Sequence, residues 1–194
     1  MFKIAVLAST NGTDLQAIID EMKAGKMSGI ELTLVISNKE DCFALQRARE
    51  QGYETVFVDP KGLSRKKFDQ KLADIIKNQH IDLIVLVGYM RILSPEFVQQ
   101  FPKQIINVHP SLIPKYCGKD FYGQSVHEAV LASKEHETGM TIHYLDEGVD
   151  TGEIILQKSC TISPEDTPET LKEKVQALEK KHYPQVIKEL AGKA

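Results

Sequence analysis

The sequence has no tryptophan and only three cysteines, Cys42, Cys117 and Cys160, which lie far apart and form no CxxC pair. An odd, scattered set of thiols excludes a disulfide framework and a zinc ribbon, so the fold must rest on buried apolar surface. A chain of 194 residues is long enough to bury such a core. Net charge is also scarce: the formal value of −3 provides no broad basic field, which argues against a role built on long nucleic acid and for small-molecule substrates. No stretch approaches the ~18 apolar residues of a membrane helix, so no membrane association is expected. The opening "MFKIAVLAST" has an apolar run of only about five residues before polar turn formers, too short for a secretory signal, and reads as a buried first strand of a cytoplasmic protein. Internal repeats and low-complexity tracts are missing too, and residues 1–194 are expected to form a single domain.

What is present is an alternation. Short runs rich in Val, Ile and Leu recur at 2–8, 30–37, 54–58, 82–88 and 104–108. Between them lie amphipathic stretches: 14–25 places Leu15, Ile18, Ile19 and Met22 on one helical face, and 64–79 does the same with Phe68, Leu72, Ile75 and Ile76. Near-continuous apolar strands separated by helices predict an α/β fold, a doubly wound, mostly parallel Rossmann-like sheet with helices on both faces. Beyond residue 109 the pattern changes. A loop of more than a dozen residues, of lid type, leads to a short helix near 124–133. "GMTIHYLDEG" and "GEIILQKSCTI" then read as an antiparallel strand pair, and 167–191 as a long helix with Thr167 at its N-cap and Pro168 in its first turn.

In doubly wound sheets ligands bind beyond the carboxyl ends of the strands, so the loops there carry the search for chemistry. The first, "STNGTDLQ", opens a helix with Gly12, Thr13 and Asp14, whose backbone N–H groups could hold a phosphate; equally, Thr10, Asn11, Thr13 or Asp14 could simply cap the helix. Asp14 would repel a phosphate unless its carboxylate points away. In "INVHPSLIPKY", period-two alternation puts Asn107 and His109 on one face at a strand end, and we expect that face to meet a cleft. An asparagine amide and a histidine can together hold negative charge developing on a carbonyl oxygen. Neither is a good unaided nucleophile, and no strained Ser or Cys elbow is present, so direct attack by a substrate amine is favoured over an acyl-enzyme. The turn "LDEGVDTG" offers Asp146, Glu147 and Asp150; Asp150 is chosen as the carboxylate that raises the His109 pKa, although the pattern does not separate the three. His109 has no second ligand at zinc-like spacing, and no metal is expected.

Together these stretches resemble the folate-dependent formyltransferases. "NGTDLQAIID", "VISNKEDCFALQRAREQG", "VLVGYMRILSPEFV", "IINVHPSLIPKY", "TIHYLDEGVDTGEIILQ" and "VQALEKKHYPQVI" follow in the family's order with similar spacing. "NVHPSLIP" followed about forty residues later by "DEGVDTG" is the family's signature for formyl transfer from 10-formyltetrahydrofolate. The resemblance implies a catalytic trio of Asn107, His109 and Asp150, with His109 as the acid. It implies that Gly12, Thr13 and Asp14 hold the phosphate of a ribonucleotide acceptor, with Gln176 and Glu179 near its sugar and glycinamide end. Met90, Arg91, Ile92 and Leu93 match the folate-binding segment, with Ile92 and Leu93 lining a pteridine pocket and Arg91 meeting a carboxylate; Arg65 matches a second folate contact. On this reading residues 1–100 serve the acceptor's phosphate, 85–160 the folate and the chemistry, and 167–191 form the closing helix.

This chain departs from the family at Asp14, where Asn is common, and in the length of the lid between Cys117 and Glu128. Cys117 and His127 are left without a catalytic role, and His143 is either support for Asp150 or strand packing. Members acting on tRNA, water or sugar nucleotides carry added domains, so the length leads us to expect glycinamide ribonucleotide as acceptor, in a monomer or homodimer. The alternatives are formyl transfer to another amine, formyltetrahydrofolate hydrolysis, or, outside catalysis, a nucleotide-binding domain using the first loop alone.

Overall fold

Strands and helices alternate as the apolar spacing predicts. In the computed structural model, which describes residues 1–193, β1 (Phe2–Ala8), β2 (Ile30–Ser37), β3 (Thr55–Phe57), β4 (Leu83–Val87) and β5 (Ile105–His109) are parallel. At one edge β6 (Glu137–Tyr144) and β7 (Ile154–Thr161) run antiparallel. The seven strands form one sheet in the order β3-β2-β1-β4-β5-β6-β7. The chain starts at the middle, builds outward to β3, then returns to lay β4 on the other side of β1. That reversal is a topological switch point and opens a crevice at the strands' carboxyl ends.

Six helices cover the sheet: α1 (Thr13–Lys23), α2 (Phe43–Glu50), α3 (Arg65–Asn78), the single turn α4 (Pro95–Val98), α5 (Gln124–Ala132) and α6 (Pro168–Ala191). The period of two in the strands divides the core. Ile4, Val6, Val85 and Ile106 face α1, α2 and α6, whereas Ala5, Leu7, Ile84 and Leu86 face α3 and α4. Leu15, Ile18 and Ile19 of α1 are buried on the first side, and Phe68, Leu72 and Ile76 of α3 on the second, with Ile75 at the margin. Tyr183 crosses from α6 to donate its buried hydroxyl to the carbonyls of Leu86 (2.9 Å) and Ile106 (3.1 Å), tying that helix over β4 and β5.

Helix starts follow their capping residues. Ser64 and Ser94 accept from backbone N–H groups of α3 and α4, and Thr167 forms a capping box with Thr170 ahead of Pro168. Helix α2 does not show in the apolar periodicity, because its buried face is made of Ala44, Leu45 and Ala48, small side chains that signal weakly. Their size has a purpose. A Cβ on Gly12 would sit 2.7 Å from the Ala44 Cβ, so glycine against alanine lets α2 press on the start of α1. Among the described residues no helix is long and apolar enough to cross a membrane.

Candidate active site

A cleft of about 520 Å³ opens at the carboxyl ends of β4 and β5 beside β6, floored by Asn107 and His109 and walled by residues 88–93, the lid near Gly118 and the turn bearing Asp150. Strand alternation accounts for the floor. Asn107 and His109 share a face with Ile105, which remains in the α3-side core, while the β4–β5 pairing stops at Leu86 and Asn107 and leaves the strand end open. Pairing with β6 then sets Asn107 opposite His143 and His109 opposite Thr141. Asp150 arrives from the turn after β6 with a left-handed backbone, φ 57°, which aspartate tolerates better than most residues.

Four side chains and two lid backbone groups make one polar cluster. The Asp150 Oδ2 lies 3.5 Å from His109 Nδ1 and accepts from the Gly118 N–H at 3.0 Å; its Oδ1 lies 3.6 Å from His143 Nε2. His109 Nε2 is 2.8 Å from the Tyr116 carbonyl, and His143 Nδ1 is 2.9 Å from the Tyr144 carbonyl. A carbonyl can only accept, so each of those nitrogens carries the proton and the tautomers are set. His143 Nε2 then faces the Asn107 amide nitrogen at 3.4 Å.

The charge state of His109 differs from the expectation. The ring is 4% exposed, and burial, aided by His143, lowers its pKa below the ordinary value. Asp150 and the Tyr116 carbonyl oppose that shift without overcoming it. Without ligand, therefore, His109 is neutral at pH 7, with Nε2 protonated and a Nδ1 lone pair facing Asp150. For Asp150 burial works upward, yet the neighbouring His143 and His109 rings and the Gly118 N–H outweigh it and hold the carboxyl below its usual range. It is a carboxylate in either state of His109.

On the wall of the cleft, Met90 and Ile92 expose 46% and 48% of their surface, and Leu93 is buried beneath them. Arg91 stacks its guanidinium 4.2 Å from the Phe68 ring centre, and its buried Nε finds no hydrogen-bond partner among the described residues. Arg65 lies outside this lining: its guanidinium donates to the Leu93 carbonyl, so it braces the 90–93 segment from behind instead of forming a cleft contact. The short side chain of Ser9 links this wall to the first loop, accepting from the Met90 N–H at 3.0 Å and donating to Asn38 at 2.6 Å.

At the start of α1 the N-cap is Gly12, φ 66°, with no side-chain cap; none of Thr10, Asn11, Thr13 and Asp14 closes the helix. The first-turn N–H groups are thereby left for an anion. Gly12 and Thr13 line neither the cleft nor a second hollow of about 410 Å³ between the loops after β1 and β2, which Lys39 enters. Asp14 turns inward: it is 6% exposed, as is Glu179 of α6, the helix that packs on α1. Burial pushes Asp14 up to about 7 against the pull of Lys180, and burial together with Asp14 raises Glu179 well above its usual range. Gln176 lies half-buried one turn ahead of Glu179.

His127 is buried between α5 and α6, and burial, helped by Lys172 and His109, drives its pKa down to about 4, which keeps it neutral. The Cys117 thiol donates to the Pro114 carbonyl at 3.3 Å and is raised by burial and by Asp150, so it is no ready thiolate. Reasoning from residue types missed the Tyr116 carbonyl and the Gly118 N–H, since backbone groups in a loop leave no signal in a sequence. Among the described residues no group of three or more His, Cys, Asp or Glu is placed to hold a metal ion.

The chain is similar to known proteins along nearly its whole length. The formyl transferase family matches residues 2–187. Phosphoribosylglycinamide formyltransferase of Haemophilus influenzae is 40% identical over 189 residues, covering 97% of this chain and 86% of its own. The Bacillus subtilis protein of that name is 36% identical over 193 residues, covering 99% and 96%. Among solved structures, phosphoribosylglycinamide formyltransferase from Coxiella burnetii superposes with a TM-score of 0.91 at 41% identity, over 98% of this chain and 87% of its own.

Proposed function

The chain belongs to the formyl transferase family, and from that premise we propose that it transfers the formyl group of 10-formyltetrahydrofolate to the amine of glycinamide ribonucleotide, a step of purine biosynthesis. The observation that carries the mechanism is the meeting of Asn107, His109 and Asp150 at the floor of one cleft. The donor is a co-substrate, and the cleft suits it: Met90, Ile92 and Leu93 offer apolar surface to the pteridine, and Arg91 offers a cation to a carboxylate. The acceptor's phosphate is placed at the first turn of α1, with Gln176 and Glu179 toward its sugar. Residues 1–100 thus serve the acceptor, 85–160 the donor and the chemistry, and 167–191 close the acceptor side, within one domain.

Chemistry follows from the proton positions. The acceptor amine attacks the formyl carbon, and the carbonyl oxygen becomes an oxyanion that accepts from the Asn107 amide. Neutral His109 takes the amine's surplus proton on Nδ1, its lone-pair nitrogen, because Tyr116 holds the proton on Nε2. The resulting imidazolium sits between the oxyanion and the Asp150 carboxylate, and both negative charges now favour the cation that burial disfavoured. As the bond to the folate nitrogen breaks, the same proton passes to that nitrogen, releasing tetrahydrofolate and the formylated amide. His109 therefore acts first as base and then as acid, with its cationic form confined to the intermediate.

We read the enzyme as cytoplasmic and as a monomer or homodimer acting on small molecules, without nucleic acid. Assaying the purified protein with one formyl donor against glycinamide ribonucleotide, water and a sugar nucleotide tests the acceptor; transfer to either of the others in place of the ribonucleotide overturns it. His109→Ala or Asn107→Ala at near full turnover removes the trio from the mechanism.

A further inference from the structure

Asp14 is an anomaly at a site meant for an anion. It occupies the first turn of α1, its carboxyl is 6% exposed, and its Oδ1 is buried with no hydrogen-bond partner among the described residues. Its neighbour across the α1–α6 seam is a second buried carboxyl, Glu179. The remaining charged and titratable groups that face the pair come from α6: Lys180, Lys172 and the buried Tyr183 hydroxyl. From α2 comes Arg47, which is occupied with the Asn11 carbonyl (2.8 Å) and Gln16 (3.2 Å). The adjoining ends of β1 and β4 are apolar.

We propose that the buried Asp14–Glu179 pair makes the acceptor site selective for protonation state, admitting the phosphate at the α1 N-terminus only while Asp14 carries a proton. The proposal rests on the placement of the acceptor's phosphate given above and deepens it. A helix N-terminus offers an anion about half a positive charge through its free N–H groups. An ionised carboxylate in the same turn cancels that field and repels the phosphate, whereas a protonated one is neutral. Burial favours the protonated form against the pull of Lys180, and Oδ1 has no hydrogen-bond partner among the described residues to hold the ionised one. An asparagine at this position would be neutral at every pH. The expected consequence runs against intrinsic phosphate chemistry, since the monoester gains its second charge near pH 6 and should bind a cationic field better as pH rises.

The test is calorimetric binding of glycinamide ribonucleotide, without formyl donor, to the full chain at pH 6 and pH 8, for the wild type and for Asp14→Asn. With Asp14 titrating at about 7, the competent fraction falls from roughly nine tenths to one tenth, so wild-type affinity should weaken about tenfold relative to the variant. Equal pH dependence in the two proteins overturns the proposal and leaves the phosphate placement standing. Failure of both proteins to bind at either pH overturns the placement and the proposal together.

Discussion

Replacing Asp14 by Asn should stabilise the fold, and by an amount that grows with pH. Asp14 is raised from 3.8 to about 7 in the folded chain, so the native state holds a proton that the unfolded state has already released. A folded-state pKa raised in this way confers stability below the unfolded value and loses it as pH climbs through the folded one. The loss for the wild type is about 1.6 kcal/mol by pH 5 and about 4 kcal/mol by pH 8, at ~1.36 kcal/mol per pKa unit. Asparagine has the same shape and no such linkage, so the advantage of Asp14→Asn should widen by about 2.5 kcal/mol between pH 5 and pH 8. At ~2.1 cal/mol/K of unfolding entropy per residue, a chain of this length converts that into a Tm difference growing by about 6 °C. Thermal unfolding of both proteins at the two pH values is the assay. A Tm difference that is the same at pH 5 and pH 8 would refute the buried, protonated carboxyl, and with it the basis for selectivity at the acceptor site.

Asp150→Asn should lower turnover by on the order of 10²-fold and move the acid limb of kcat/KM to lower pH, because Asp150 is the main influence raising the His109 pKa; a pH–rate profile reads both effects. His109→Ala should cost on the order of 10²-fold or more in single-turnover rate, with folding unchanged by circular dichroism. Gly12→Ala should destabilise the chain by about 3 kcal/mol in denaturant unfolding, from the left-handed backbone at φ 66° and the 2.7 Å approach to Ala44 together. Tyr183→Phe should cost about 1 kcal/mol in the same assay, since the bonds to the Leu86 and Ile106 carbonyls are lost inside the core.

The trio illustrates how far a linear reading reaches. Strand periodicity alone put Asn107 and His109 on one face at a strand end, because alternation is a local property of an extended backbone. The same locality made the parallel sheet, the long closing helix with its Thr167 cap and the antiparallel edge pair legible from residue types. It failed for α2, whose buried face is alanine, and for the α1 cap, where a glycine pressed by Ala44 takes the place of a side chain.

By itself the sequence determined the order of the strands, the buried faces of α1 and α3 and the residue types able to stabilise an oxyanion, all of which depend on neighbours a few positions apart. Tertiary structure decided the protonation states. Burial of His109 outweighs Asp150, the Tyr116 carbonyl and Gly118 N–H enter the cluster from a loop, and Asp14 meets Glu179 from 165 positions away only because α1 packs on α6. Desolvation and long-range contact are properties of the folded volume, and no local pattern encodes them.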